Sequence, residues 1–370
     1  MARRPRIVHV VRQFWPLAGG MEESVRQLAR STPADFEVGV VTLDRAFADG
    51  THFAARDSVD GIAVTRIPYT GSHRYPLAPR VFAATASADL IHVHGIDFLF
   101  DALALGRSVR AIPLVASTHG GFFHTPFASR LKRAFFATVT RASARAYATI
   151  GASSVGDAEL FGTIADNVEL LENGVDIAKF AAASSTAAPR VLIAIGRWSS
   201  NKNLRGALDL LTALRRTDLE WRLLIAGNPY DCTRDDLDGW IEESGAGQGV
   251  EIHEGLSTPE LRALIARATY LLSLSHYEGF GLSVVEGLSA GLVPVLSGIA
   301  NYRLFVERAG VGIILDQPSP AAKAAALIAL HGSAADREPV RNAAMAAAQR
   351  YAWPDVARRW AAIYDRALRR

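Results

Sequence analysis

Short apolar runs rich in β-branched residues alternate with amphipathic stretches along the whole chain. The runs at Arg6–Val11, Glu37–Thr42, Ile62–Ile67, Asp89–His94, Pro113–Ser117, Ala146–Ile150 and Val168–Leu171 have the length of strands buried on both faces. Helical periodicity fills most of the gaps, at Gly20–Ser31, Asp97–Arg107, Phe127–Ser143 and Ser153–Phe161. The segment Phe180–Arg190 is made of small residues without periodicity and reads as a linker. The alternation then restarts, with strands at Val191–Ile195, Arg222–Ala226, Val250–His253, Tyr270–Leu274 and Val293–Leu296. Helices are predicted at Lys202–Arg215, Asp235–Ser244, Pro259–Arg267 and Gly281–Ala290. Strand followed by helix, repeated, predicts an α/β chain with two doubly wound parallel sheets. Ligands of such sheets bind beyond the carboxyl ends of the strands, and with two domains the shared cleft is the default site.

Length and composition agree with two folded domains. The chain has 370 residues, of which 49% are hydrophobic and 21% charged. A net charge of +3 and the lack of any basic block disfavour nucleic acid as a partner. Cys232 is the only cysteine, which excludes an intramolecular disulfide and a multi-cysteine zinc site. Arg12 interrupts the first apolar run too early for a signal peptide, and no run is long enough to span a bilayer. These features predict a cytoplasmic location.

The candidate chemistry lies just after strands. After Tyr270–Leu274 comes Ser-His-Tyr-Glu278-Gly279-Phe280-Gly281-Leu282-Ser-Val-Val-Glu286. A helix starting near Gly281 would turn free N–H groups toward an anion, and the glycines would let a ligand approach the backbone. Glu286 would lie about 7 Å further along the helix axis. Two carboxylates facing one ligand suit hydroxyl recognition; an acidic helix start complementing the dipole is the plainer alternative. After Val191–Ile195, Arg197 and Lys202 could neutralise a diphosphate without a metal, or be two solvated loop cations. After the first strand, Gly19-Gly20 opens a helix; it fits neither a dinucleotide fingerprint nor a P-loop and reads equally as a turn. After Pro113–Ser117, His119 precedes Gly-Gly at a strand tip, where it could lie against a substrate.

Metal candidates are weaker. His92 and His94 share a strand face without an evident third ligand, and Asp236 and Asp238 read as an acidic helix start. No metal and no other cofactor is expected. The helix from Phe127 carries Arg130, Lys132 and Arg133, with Phe136 placed off the apolar stripe. That face could dock on an anionic membrane or be a solvated basic surface.

Together, Gly19-Gly20, His119, Asn173-Gly-Val-Asp176, Gly196-Arg197 with Lys202, Glu278 to Glu286, and Trp353 resemble a retaining glycosyltransferase of family four. The resemblance implies the GT-B fold, two Rossmann-like domains facing a central cleft. The expected bounds are 1–173 plus 355–370 for an acceptor-binding domain with a returning C-terminal helix, and 174–354 for the nucleotide-sugar domain. The strings HVVRQFWPLAGGMEES, VTRIPYTGSHRYPLAP and STHGGFFHTPFASRLK are similar to a subgroup of bacterial mannosyltransferases of exopolysaccharide assembly. That likeness implies metal-independent transfer of mannose from GDP-mannose to a polyprenyl-diphosphate-linked cellobiose, in α-1,3 linkage, by an enzyme peripheral on the inner face of the cell membrane. It further implies that Arg197 and Lys202 hold the diphosphate and that Glu278 and the backbone of Gly279 to Leu282 bind the sugar. Glu286 would bind the ribose, Gly20 would approach the phosphate, and His119 would lie beside the anomeric carbon. A UDP-sugar transferase, a nucleotide-sugar epimerase or hydrolase, and a non-catalytic binder are the competing readings.

Overall fold

The computed structural model describes residues 3–17, 19–73, 75–119, 133–332 and 337–369. The chain divides into two compact units, Met1–Gly174 with Trp353–Arg370, and Val175–Ala352. These boundaries fall within a few residues of the expected ones.

The first unit holds β1 (Arg6–Val10), β2 (Glu37–Leu43), β3 (Arg56–Val59), β4 (Ile62–Ile67), the small hairpin β5 (Thr70–Ser72) and β6 (Tyr75–Leu77), β7 (Leu90–His94), β8 (Leu114–Ser117), β9 (Thr149–Ala152) and β10 (Val168–Leu170). Its main sheet runs β10-β9-β8-β7-β1-β2-β4-β3. All neighbours are parallel except the edge pair β3–β4. The strand order reverses between β1 and β7, which places a crevice beyond their carboxyl ends. The helix Trp353–Leu368 completes this unit, burying Val356, Trp360, Ile363 and Tyr364 in one core cluster with Ile7, Leu90 and Val115. Its apolar residues recur three and four apart, the stripe that packs a helix on a sheet.

The second unit holds β11 (Val191–Ile195), β12 (Arg222–Gly227), β13 (Val250–Glu254), β14 (Tyr270–Ser273), β15 (Val293–Ser297) and β16 (Ile313–Leu315). The order β13-β12-β11-β14-β15-β16 is wholly parallel. Counted from β11 this is 3-2-1-4-5-6, the dinucleotide-fold order, with its switch point between β11 and β14. Leu192, Ile193, Leu223, Leu224, Leu271, Val284 and Leu288 stand in its continuous core.

Three expectations are corrected. Phe180–Arg190 is not a linker: it lies inside the second unit, with Ala182 and Ser184 donating backbone hydrogen bonds to Ser289 and Ala290 and Arg341 donating to the Ala182 carbonyl. Its small side chains allow this close approach to the helix Leu282–Ala290. Phe136 does not face outward: it is buried, edge-on to Phe161. The π-helical segment Phe136–Thr140 displaces the residues that follow Phe136, and Val139, which an α-helical stripe would bury, is exposed, so the stripe drawn through it is wrong. Arg133 is exposed, and Arg130 and Lys132 lie outside the described residues. Finally, a third histidine, His9 on β1, stands beside His92 and His94.

Candidate active site

In the second unit, the segments after β11 and β14 meet at the switch point. Gly196 has φ 145°, and a side chain there would press on Lys202 Cε at 3.2 Å, so the glycine leaves room for the lysine. Asp231 accepts from the backbone N–H and hydroxyl of Ser200 at 2.8 and 2.9 Å, fixing the turn Ser200–Lys202. Lys202 Nζ pairs with Glu278, both side chains being largely buried. Ser275 Oγ donates to Glu278 Oε1 at 2.9 Å, and Ser273 Oγ links Ser275 to the Tyr302 hydroxyl at 3.2 and 2.7 Å. Burial, reinforced by the Glu278 charge, pushes the Tyr302 phenol far above its ordinary range, so it remains a neutral hydrogen-bonding group.

Two asparagines hold the loop that carries Glu278. Asn201 donates to the Tyr277 carbonyl at 2.7 Å and accepts from its N–H at 3.0 Å. Asn301 donates to the carbonyls of Glu278 and Gly279 at 2.7 and 2.8 Å. The loop ends at Gly281, whose φ of 95° precedes the helix Leu282–Ala290. No side chain caps that helix start; the Val284 N–H donates to the Gly281 carbonyl, which leaves the N–H groups of Leu282 and Ser283 for an anion. The Phe280 side chain is packed against Phe305 and Tyr351, which leaves its backbone as the part available to a ligand. Further along this helix Glu286 pairs with Lys179 at 3.0 Å. Arg197 is exposed, its guanidinium 4.3 Å from the centre of the Tyr230 ring. Asp236 and Asp238 are spent locally: Asp236 closes a capping box with Thr233, and Asp238 pairs with Arg234.

In the first unit, Gly19 and Gly20 open the helix Gly20–Ser31, again without a side-chain cap. His119 follows β8 in the left-handed region at φ 55°, a strained position for a non-glycine residue. Thr118 beside it is anchored by Asp157 at 2.5 Å and by its own N–H to the Gly151 carbonyl. His119 borders a narrow cavity together with Ser24, one turn into the Gly20 helix, and Asn173. Its Nε2 lies 2.8 Å from His94 Nδ1, and His94 Nε2 lies 2.8 Å from His9 Nδ1. His92 is engaged separately, at 2.8 Å from both Tyr364 and Ser117 hydroxyls. His9, His92 and His94 offer nitrogens close enough to share a cation, but every ring nitrogen of His92 and His94 is already hydrogen-bonded. Their rings are also stacked at 4.1 Å rather than converging on a point. The donor set therefore fits a hydrogen-bonded core better than a metal centre. Burial holds all these rings neutral, lowering His9 to about 3 and His119 to about 4.

Residues 18–179 match the Glycosyltransferase Family 4 family and 177–346 match glycosyl transferases group 1. The chain is 44% identical, over 98% of its length and 97% of the relative's, to a protein of Xanthomonas oryzae pv. oryzae named GDP-mannose:cellobiosyl-diphosphopolyprenol alpha-mannosyltransferase. A protein of the same name from Komagataeibacter xylinus is 39% identical over 99% of this chain and 94% of its own. The chain belongs to glycosyltransferase family four. Among solved structures, this glycosyltransferase shares its GT-B fold with Anabaena Alr3699/HepE (TM-score 0.72, 18% identity, covering 97% of this chain and 99% of that one). Sucrose-phosphate synthase from Thermosynechococcus elongatus gives a TM-score of 0.71 at 17% identity, covering 98% and 99%.

The structure brings Lys202, Glu278 and the Gly281 helix start together in the glycosyltransferase's second unit, with Arg197 beyond β11 and Glu286 deeper on the same helix. Sequence reasoning missed Asn201, Asn301, Lys179 and Ser275. Asn201 stands next to Lys202, and a polar residue at a strand-end turn was the one local signal available. Asn301 and Lys179 reach the site from more than 20 and more than 100 residues away, and nothing in their local sequence announces it.

Proposed function

We propose that this glycosyltransferase moves mannose from GDP-mannose to a cellobiose carried on polyprenyl diphosphate, with retention, in α-1,3 linkage and without a metal, during exopolysaccharide assembly. The observation that carries this reading is the end-to-end similarity to the relatives so named. Arg197, Lys202 and the open helix start at Gly281 take up the charge that develops on the departing diphosphate. Glu278, steadied by Ser275 and by the loop that Asn201 and Asn301 hold, accepts hydroxyls of the transferred sugar. Glu286 keeps one carboxylate oxygen for Lys179 and has the other for the ribose. Gly20, with open space beside its Cα, leaves backbone for the phosphate, next to Gly19 against which the Glu22 side chain lies, and His119 meets the mannose. The acceptor hydroxyl attacks the face from which the diphosphate leaves, and a phosphate oxygen takes its proton. No helix among the described residues is long and apolar enough to cross a membrane; with a polyprenyl acceptor, the enzyme works at the inner membrane surface.

A panel of GDP- and UDP-sugars, with and without cellobiose-diphosphate-lipid and in EDTA, tests the proposal. Consumption of GDP-mannose only with the lipid, giving GDP and an α-linked product, is expected. Turnover of a UDP-sugar would overturn the donor, and activity abolished by EDTA and restored by a divalent cation would overturn metal independence. A new sugar nucleotide formed without acceptor would identify an epimerase.

A further inference from the structure

The three rings His9, His94 and His119 form a hydrogen-bonded chain that runs from the interior of the first unit to the partly exposed His119. Each link needs one N–H and one lone pair, so the chain has two polarities and its ends decide between them. At the inner end, His9 is fully buried and its Nε2 has no partner among the described residues. If the protons pointed inward, His9 Nε2 would carry an unpartnered buried N–H. If they point outward, the same atom is an unpartnered lone pair. Orphaned buried donors are the rarer and costlier of the two. Outward polarity follows: His9 Nδ1 donates to His94 Nε2, and His94 Nδ1 donates to His119 Nε2. The proton of His119 then sits on Nδ1, the nitrogen outside the chain. Neutral rings are a condition for this logic, and burial supplies it.

We propose that His94 is a positioning residue that fixes His119 as its Nδ1–H tautomer, so that this ring meets the donor sugar as a hydrogen-bond donor and not as an acceptor. The sugar contact rests on the function proposed above; the tautomer does not. An isolated neutral histidine favours the Nε2–H form, so the protein must hold His119 against its own preference. The left-handed backbone at φ 55° keeps the ring within reach of His94.

NMR of the protein carrying isotopically labelled histidine nitrogens reads the tautomer directly, without substrate. Expected is an Nδ1–H signature for His119, with scalar coupling between His94 Nδ1 and His119 Nε2. An Nε2–H or imidazolium His119 at neutral pH would sink the proposal, whatever the donor proves to be. In His94→Leu, His119 should revert toward Nε2–H, and kcat/KM for the donor should fall about tenfold, the worth of one hydrogen bond. If that variant does not fold, the wild-type spectrum alone decides. A folded His94→Leu in which His119 keeps Nδ1–H would show that His94 does not set it. A reverted tautomer with unchanged kcat/KM would retain the relay and remove the sugar contact.

Discussion

Lys202 and Glu278 hold each other in the free protein, so in the proposed mechanism the donor shares a lysine that is already paired. Lys202→Ala removes a cation from the departing diphosphate and is expected to lower kcat about 10²–10³-fold. Glu278→Gln keeps the shape, frees the lysine, and should weaken discrimination among sugars more than it slows departure. The two variants, compared on GDP-mannose and on another GDP-hexose, check this; equal losses with both sugars in Glu278→Gln would mean that the carboxylate does not read the sugar. Asn301→Ala unpins the Glu278–Gly279 carbonyls. It should raise KM and lower kcat together, because a loop that drifts about 1 Å loses both binding and alignment. The buried histidines carry a pH consequence. His9 is lowered to about 3 in the folded protein against an ordinary 6.5, and His92 and His94 move the same way. Below about pH 6.5 the unfolded chain therefore takes up protons that the folded one refuses. Stability is full above that value and falls as the pH drops toward the folded pKa values, by about 1.4 kcal/mol per pH unit for each ring. Urea unfolding at pH 7.5 and pH 5.0 measures it, and equal midpoints would contradict the burial.

At the scale of elements, the strands were legible and their ends were informative. Val191–Ile195 reads as a buried parallel strand because five apolar residues in a row allow little else, and Arg197 beyond it inherits its place from that strand. β3 was not legible: Arg56–Val59 is mostly polar and exposed, an antiparallel edge without the apolar run that marks the others. The hairpin β5–β6 was not legible either, because its strands are three residues each and the second carries Pro76. Phe136 was misplaced because the apolar stripe was drawn at 3.6 residues per turn through Val139, which the π-helical turn starting at Phe136 carries to the surface without an evident sequence mark. Its correction has a measurable side. Phe136→Ala should cost about 3–5 kcal/mol as a core truncation, whereas Arg133→Ala, exposed on the same segment, should stay within about 0.5 kcal/mol. Equal effects in urea unfolding would return Phe136 to the surface. His9 was passed over because a single histidine within an apolar strand looks like a core residue; only the register that sets it beside His92 gives it company.

For the whole molecule, the division into units makes the roles separable. Val175–Ala352 is a continuous stretch with its own core and holds the Lys202–Glu278 pair and the open helix start. Expressed alone it is expected to fold and to bind GDP, with a heat signal in calorimetry that Lys202→Ala weakens. The first unit is built from two separated stretches. The helix Trp353–Leu368 covers β1, β7 and β8, and Trp360 and Tyr364 lie directly on His92. That closure orders events during synthesis. Until that helix is made, the face of β1, β7 and β8 that it covers lacks its partner, so the first unit cannot be completed by residues 1–174 alone. The second unit is one continuous stretch and needs no segment from outside Val175–Ala352, so its folding does not depend on that helix.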